Sequence, residues 1–319
     1  MFNSYFMKHL NQIIHGDCVE ELKKLPDRSV DLVILDPPYW KVVSEQWDFE
    51  WRTKSDYAQW CKQWFKEIER VIKYSGSLYL FGYVRNLIYL YQDINELGFL
   101  FRQQIMIQKG LRALGGRATK GYKMFPNTSE IIWFFIKDSK PFIRQLLKER
   151  QKALGITSLE INEKLGVKTN GGGVWSLYTG DNILAQVPTR EMWEKLQEIL
   201  DFEYPHDDIS HTFNIEMGIT DMWDDVDFYE EERYHPTQKP VHLIERIIKA
   251  STNDGMVVLD PFMGTGSTAL ACLNLDRDYI GIEKDKTYVN IAEQRIQNHR
   301  NTPALELSFS NATFASSAA

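Results

Sequence analysis

The chain has 319 residues, 43% hydrophobic, 13% aromatic and 25% charged, and its 37 Lys and Arg against 44 Asp and Glu leave a net charge of −7. That composition excludes disorder as the main state and suffices for one large domain or two small ones. No apolar run of about 18 residues exists, so no membrane span is expected; the longest candidate, Ile131 to Ile136, has the size of a buried strand.

The N-terminal residues (MFNSYFMKHLNQ) lack the apolar core of a signal peptide, which predicts a cytoplasmic protein. Cys18, Cys61 and Cys272 lie far apart without CxxC spacing, so neither a disulfide framework nor a zinc site is expected. His206 and His211 lack a helical partner at ligand spacing, and no metal is assigned to them. Charge is unevenly spread. Phe101 to Lys152 holds twelve basic and three acidic residues, whereas Asp201 to Glu232 holds twelve acidic residues and no Lys or Arg. A basic face for phosphates can therefore coexist with an acidic total.

In chain order, the first part alternates strand and helix. Asn11 to Ile14 reads as a short strand, Cys18 to Lys24 as an amphipathic helix, and Val30 to Leu35 as a buried strand ending at Asp36-Pro37-Pro38. A helix from about Ser55 to Lys73 carries Tyr57, Trp60, Trp64, Ile68 and Val71 on one face, most simply as core. A strand over Ser77 to Phe81, a helix over Leu87 to Leu97 and strands over Phe99 to Gln108 and Glu130 to Ile136 follow. Strands separated by helices imply a parallel sheet covered on both faces.

Arg144 to Phe202 has a different texture. Thr157 to Glu160 is a capping-box pattern opening a helix through Leu165, which Gly166 stops. A glycine-rich turn at Asn170 to Gly173 leads into Val174 to Tyr178, and Pro188-Thr189 opens a last helix with Met192, Trp193, Leu196, Ile199 and Leu200 on its apolar face. The two short helices resemble a helix-turn-helix, with Asn170 to Thr179 as its recognition element, although three consecutive glycines depart from that pattern. After the acidic stretch, helix Val241 to Ser251, strand Met256 to Leu259, helix Ser267 to Leu273, strand Asp278 to Ile282 and helix Tyr288 to Gln297 are expected. The tail from Asn301 reads as disordered.

Two motifs carry chemistry. In Val258 to Thr268 (VLDPFMGTGST) a hydrophobic strand ends in Asp260, turns over Gly264 and Gly266, and enters a helix. Such glycines let the backbone turn tightly and approach a ligand. Seventeen residues after Gly266, at the end of the next strand, Glu283 is placed to accept hydrogen bonds from ribose hydroxyls. The third glycine of the dinucleotide fingerprint is missing, so a nucleoside without phosphates fits as well as a pyrophosphate.

The second motif is Asp36-Pro37-Pro38-Tyr39 at the end of a buried strand, where open sheets place their ligands. Two prolines remove two N–H donors and leave acceptors facing outward, a cluster suited to an exocyclic amino group. Tyr39 offers a flat face on which a base can stack.

With these residues the sequence resembles the amino-methylating DNA methyltransferases of restriction-modification type, and its order, catalytic motif before cofactor motif, resembles their beta group. Asp36 to Tyr39 matches the catalytic motif and Asp260 to Thr268 the S-adenosylmethionine motif; HPTQKP at His235 to Pro240 and HGDC at His15 to Cys18 are similar to flanking elements. The resemblance implies a Rossmann-like α/β sheet with circularly permuted motif order and an inserted small helical target-recognition subdomain. The expected division is residues 1–140 as the catalytic half, 141–232 as the variable insert, 233–298 as the cofactor-binding half, and 299–319 as the tail. Within the insert, residues 144–202 would recognise the target and 203–232 form an acidic connector.

The resemblance further implies roles. Glu283 would bind ribose, and Asp17 with Cys18 the adenine end of the cofactor. The turn from Phe262 through Gly264 and Gly266 to Ser267 and Thr268 would hold the methionine part. Asp260 would hold its amino group or a bridging water, and Thr237 and Lys239 would approach its carboxylate. Asp36, the Pro37 carbonyl and the rest of the motif, Pro38 and Tyr39, would pyramidalise an adenine N6 amino group for in-line displacement, with the base flipped out of double-stranded DNA. Lys109, Arg112, Arg117, Lys120 and Lys123 in a glycine-containing loop are the expected phosphate contacts, and Asn170, Trp175 and Ser176 the candidates for base readout. Cytosine-N4 methylation, RNA or protein-glutamine methylation, and a DNA-binding regulator with an inactive methylase body remain as alternatives. A cognate restriction endonuclease and a homodimer are compatible partners.

Overall fold

The computed structural model describes residues 4–40, 51–110, 125, 127–167, 173–235 and 237–301. The chain opens with helix α1 (Ser4–His9), which no pattern predicted, then β1 (Gln12–His15), α2 (Cys18–Leu22) and β2 (Val30–Leu35). Helix α3 (Lys54–Val71) begins at a capping box in which Thr53 and Asp56 satisfy each other's backbone N–H groups, an arrangement worth about 1 kcal/mol. It leads into β3 (Ile72–Gly82). The predicted single helix over Leu87 to Leu97 is two short helices, α4 (Val84–Leu87) and α5 (Tyr91–Glu96), separated by a turn closed from Leu90 N–H to the Leu87 carbonyl. Strands β4 (Phe99–Gln108) and β5 (Ser129–Lys137) complete the first half.

Helices α6 (Lys140–Leu154), α7 (Ser158–Lys164), α8 (Gly173–Thr179) and α9 (Arg190–Leu200) follow, and the acidic stretch contributes a short strand, β6 (Met222–Trp223). The last part is α10 (Val241–Ser251), β7 (Val257–Asp260), α11 (Ser267–Asn274), β8 (Asp278–Glu283) and α12 (Lys286–Asn301).

Among the described residues the strands form one eight-stranded sheet in the order β1-β8-β7-β2-β3-β5-β4-β6. The expectation of an all-parallel sheet is corrected here: β5 runs antiparallel to both β3 and β4. β4 and β5, consecutive in the chain, pair with each other over Phe99 to Gln108 and Ser129 to Lys137. Residue alternation divides the core. Val33, Leu35, Leu78, Leu80 and Leu259 face a cluster with α2 and α3, while Leu32, Ile34, Tyr79, Phe81 and Val258 face α10 and α11 on the other side. A third apolar cluster, centred on Trp175, Trp193, Leu196 and Leu200, belongs to α6 through α9.

The pairing that matters most for the site is β2 with β7, Leu32 opposite Val258 and Val33 opposite Leu259. It sets the ends of two strands remote in sequence side by side. Asp31 reinforces the seam: its buried carboxylate accepts the Val257 N–H at 2.9 Å and pairs with Lys73 at 3.0 Å.

Candidate active site

At the C-terminal ends of β1, β2, β7 and β8 lies a cleft of about 660 Å³, a volume ordinary for a cofactor-sized ligand. Asp36, Pro37, Pro38 and Tyr39 line it, as do Asp17, Cys18, Thr237, Lys239, Asp260, Phe262, Gly264, Ser267, Thr268 and Glu283. All four residues predicted for catalysis and ten of the eleven predicted for the cofactor therefore share one cavity.

The exception is Gly266. With φ of +87° it tolerates a backbone that other residues rarely adopt, and a Cβ there would stand 2.9 Å from Ala292 Cβ on α12. Its service is helix packing rather than ligand contact. Gly264, at φ +52°, is the glycine on the cleft wall. Its N–H donates to Glu283 Oε2 at 2.8 Å, and Glu283 Oε1 accepts the Asp285 N–H at 2.8 Å. Glu283 thus ties the glycine turn to the end of β8, and burial raises its carboxyl above the ordinary range.

Asp260 is more deeply placed. Its oxygens accept the Phe262 N–H at 2.9 Å and the Thr268 hydroxyl at 2.6 Å, so it orders the turn into α11. Burial pushes its carboxyl up to about 7. Asp17 caps α2 through hydrogen bonds from the Val19 and Glu20 N–H groups. Cys18 behind it is buried, which pushes its thiol up to about 12 and removes it as a nucleophile. Ser267 donates to the Lys239 carbonyl at 2.7 Å, and Thr237 Oγ1 lies 2.9 Å from His235 Nδ1.

Two of the predicted residues turn toward partners around Asp36. Lys239, expected near a methionine carboxylate, is buried with its ammonium 2.6 Å from Asp36 Oδ2 and 3.2 Å from Glu130 Oε1. Two carboxylates attract this ammonium inward and hold its proton tightly. Tyr39, expected to expose its ring, is buried; its hydroxyl donates to Asp36 Oδ1 and, at 3.0 Å, to Glu130 Oε1. The outward acceptor cluster read from the sequence is therefore partly engaged from within. A carboxylate offers about four lone-pair directions, and two are taken, leaving acceptor capacity toward the cleft.

Several residues of the site escaped the sequence. Glu130, 1% exposed at the start of β5, belongs to no motif. Trp51 and Trp60 line the cleft with ring centroids 4.5 Å apart, and Trp60 lies 5.8 Å from Phe262. The aromatic face of α3 is core at Trp64 but site at Trp60. Tyr57 donates to the Pro38 carbonyl at 3.0 Å and so fixes the proline loop. Their helical spacing was visible, yet nothing in it marks which end of the face meets a cavity.

The expected DNA-contact residues fare differently. Lys109 pairs with Glu130 Oε2 and covers the Phe228 ring, so its charge points inward. Trp175 is corrected from base reader to core: it is 5% exposed within the third cluster, because its large apolar surface is better buried. Ser176 is exposed, with its hydroxyl donating to the Gly173 carbonyl at 2.9 Å. Arg112, Arg117, Lys120, Lys123 and Asn170 lie outside the described residues.

Comparison with known proteins matches residues 30–294 to the DNA methylase family. The chain is similar to the type II methyltransferase M.HinfI of Haemophilus influenzae, 26% identical over 309 residues that cover 92% of this chain and 70% of the relative. It is also similar to the DNA adenine methyltransferase YhdJ of Escherichia coli (strain K12), 27% identical over 314 residues that cover 95% and 88%. Among solved structures, the M1.HpyAVI complex with SAM superposes with a TM-score of 0.55 at 22% identity, covering 89% of this chain and 98% of that one.

Proposed function

Because this chain belongs to the DNA methylase family, we propose that it transfers a methyl group from S-adenosylmethionine to the exocyclic N6 amino group of adenine at particular sites in double-stranded DNA. The observation that carries this reading is the shared cleft: Asp36 at the tip of β2 and Gly264 beyond the tip of β7 line one cavity. The adenine assignment draws on the aspartate that begins Asp36-Pro37-Pro38-Tyr39 and on the similarity to the DNA adenine methyltransferase YhdJ.

The cleft suits the methyl donor. Carboxylates at Asp17 and Glu283 can accept from ribose and adenine groups, the Gly264 turn lets the backbone approach, and Trp60 with Phe262 gives an apolar, aromatic wall. When bound, S-adenosylmethionine supplies a sulfonium methyl group. Asp36 accepts an N–H of the target amine and directs the nitrogen lone pair toward that methyl. The transfer would be an in-line displacement, for which Asp36 would hold the amine in place while its extra proton leaves to solvent. Positive charge would grow on the amine, and the Asp36 carboxyl would stabilise the transition state by position and field. The buried, high-pKa Cys18 and the equally buried Cys61 and Cys272 are unfit for a covalent route.

The division of labour proposed for the rest of the chain is that residues 144–202 select the sequence while the sheet performs the transfer. Incubation of the purified chain with unmethylated DNA and S-adenosylmethionine, followed by digestion to nucleosides, tests the reading. N6-methyladenine is expected, and Asp36→Ala should abolish it. N4-methylcytosine without N6-methyladenine would overturn the adenine assignment.

A further inference from the structure

Glu130 stands at the centre of a buried chain of charges. Its Oε1 accepts from Tyr39 at 3.0 Å and pairs with Lys239 at 3.2 Å, while Oε2 pairs with Lys109. Tyr39 and Lys239 in turn hold the two oxygens of Asp36. No residue of Glu130's strand belongs to a sequence motif, yet the strand delivers one carboxylate to the back of the reacting cluster. From this arrangement we infer that Glu130 is a positioning residue for methyl transfer: it anchors Lys239 and Tyr39 so that Asp36 presents a fixed acceptor to the target amine.

The charge arithmetic gives the reason. Lys239 alone beside Asp36 would cancel the negative field that a developing ammonium requires. Lys109 adds a second cation, and Glu130 offsets it, so that Asp36, Glu130, Lys239 and Lys109 together carry no net charge instead of a positive one. Glu130 also gives the Tyr39 hydroxyl a second acceptor, so Asp36 Oδ1 is not its sole destination. The groups facing the Lys239 ammonium are Asp36, Glu130 and Tyr39, with Tyr83 a further ionisable neighbour and Lys109 on the other oxygen of Glu130.

The inference rests on the proposed role of Asp36, and the experiment separates the two. Steady-state methylation of unmethylated DNA is measured across pH for the whole chain and for Glu130→Gln, Glu130→Asp and Asp36→Ala, with rates expressed per active site from S-adenosylmethionine titration. Glu130→Gln preserves shape and still accepts from Tyr39 but lacks the charge. Its kcat should fall about 30-fold with the KM for S-adenosylmethionine within about 3-fold. An alkaline limb absent from the parent should also appear, because Lys239 loses one of its two carboxylates and sheds its proton more readily. Glu130→Asp should recover part of the rate and remove that limb. Parent-like kcat and pH profile in Glu130→Gln, or equal behaviour of Gln and Asp, would overturn the inference. If Glu130→Gln is insoluble, Glu130→Asp decides alone, since wild-type kcat at every pH would show that the contacts to its shortened stem are dispensable. Turnover by Asp36→Ala would instead overturn the reading of the site itself.

Discussion

Lys239 Nζ lies 2.6 Å from Asp36 Oδ2, a contact between residues 203 positions apart. It joins the segment preceding the cofactor turn to the acidic residue of the proline loop. Removing one partner of a buried ion pair costs about 3–5 kcal/mol. Lys239→Gln should therefore lower the melting temperature and reduce kcat by about 100-fold. Calorimetric affinity for S-adenosylmethionine should change less than about 3-fold. A large loss of cofactor affinity with kcat preserved would return Lys239 to the methionine carboxylate.

Gly266→Ala meets two penalties at once, a positive φ and a contact of 2.9 Å with Ala292. The variant should lose about 2–4 kcal/mol in denaturant unfolding. Gly264→Ala, where an added Cβ meets only the Phe262 carbonyl at 3.9 Å, should lose less stability. Equal losses would contradict the packing role assigned to Gly266.

Burial holds the Asp260 carboxyl at about 7 against an ordinary 3.8. Between those values the folded chain binds more protons than the unfolded one, so this residue's contribution to stability is greatest below the ordinary value and declines as pH rises through 7. Asparagine can accept the Phe262 N–H on Oδ1 and donate from Nδ2 to the Thr268 hydroxyl oxygen, the second hydrogen bond reversed, without a charge. The stability of Asp260→Asn relative to the parent should therefore increase from pH 4 to pH 8, by at most about 4 kcal/mol. Denaturant titrations at several pH values measure it, and a constant difference would refute the buried-carboxyl account.

Trp175 and Ser176 are adjacent but differ in burial. Trp175→Ala should destabilise the helical cluster by about 3–5 kcal/mol, whereas Ser176→Ala should change stability by under about 0.5 kcal/mol. Thermal melts check the contrast. A Trp175→Ala variant with native stability and altered sequence preference would restore it as a base reader.

Much of this architecture could be read from the sequence. Apolar runs located β2 and β4, and the motifs at Asp36 and Gly264 indicated strand tips, because a strand ending in an acidic residue and a turn is a local pattern. The reversal of β5 was not legible: alternation records which face a side chain occupies, not the direction of the neighbouring strand. Glu130 was equally silent, since a lone carboxylate at a strand start looks solvated until Lys239, Lys109 and Tyr39 are folded against it. For Trp175, proximity to glycines and a serine suggested a surface, but ring size decided for the interior.

The seam between β2 and β7 bears on how the protein is made. The ribosome delivers β2 early and β7 late, so for most of synthesis one edge of β2 has no partner and invites pairing with other chains. Asp31 sits on that strand, and a charge in an otherwise apolar edge discourages such mispairing. Once β7 emerges, the same carboxylate receives the Val257 N–H. One side chain therefore ties the early part of the sheet, through Lys73, to its late part, through Val257.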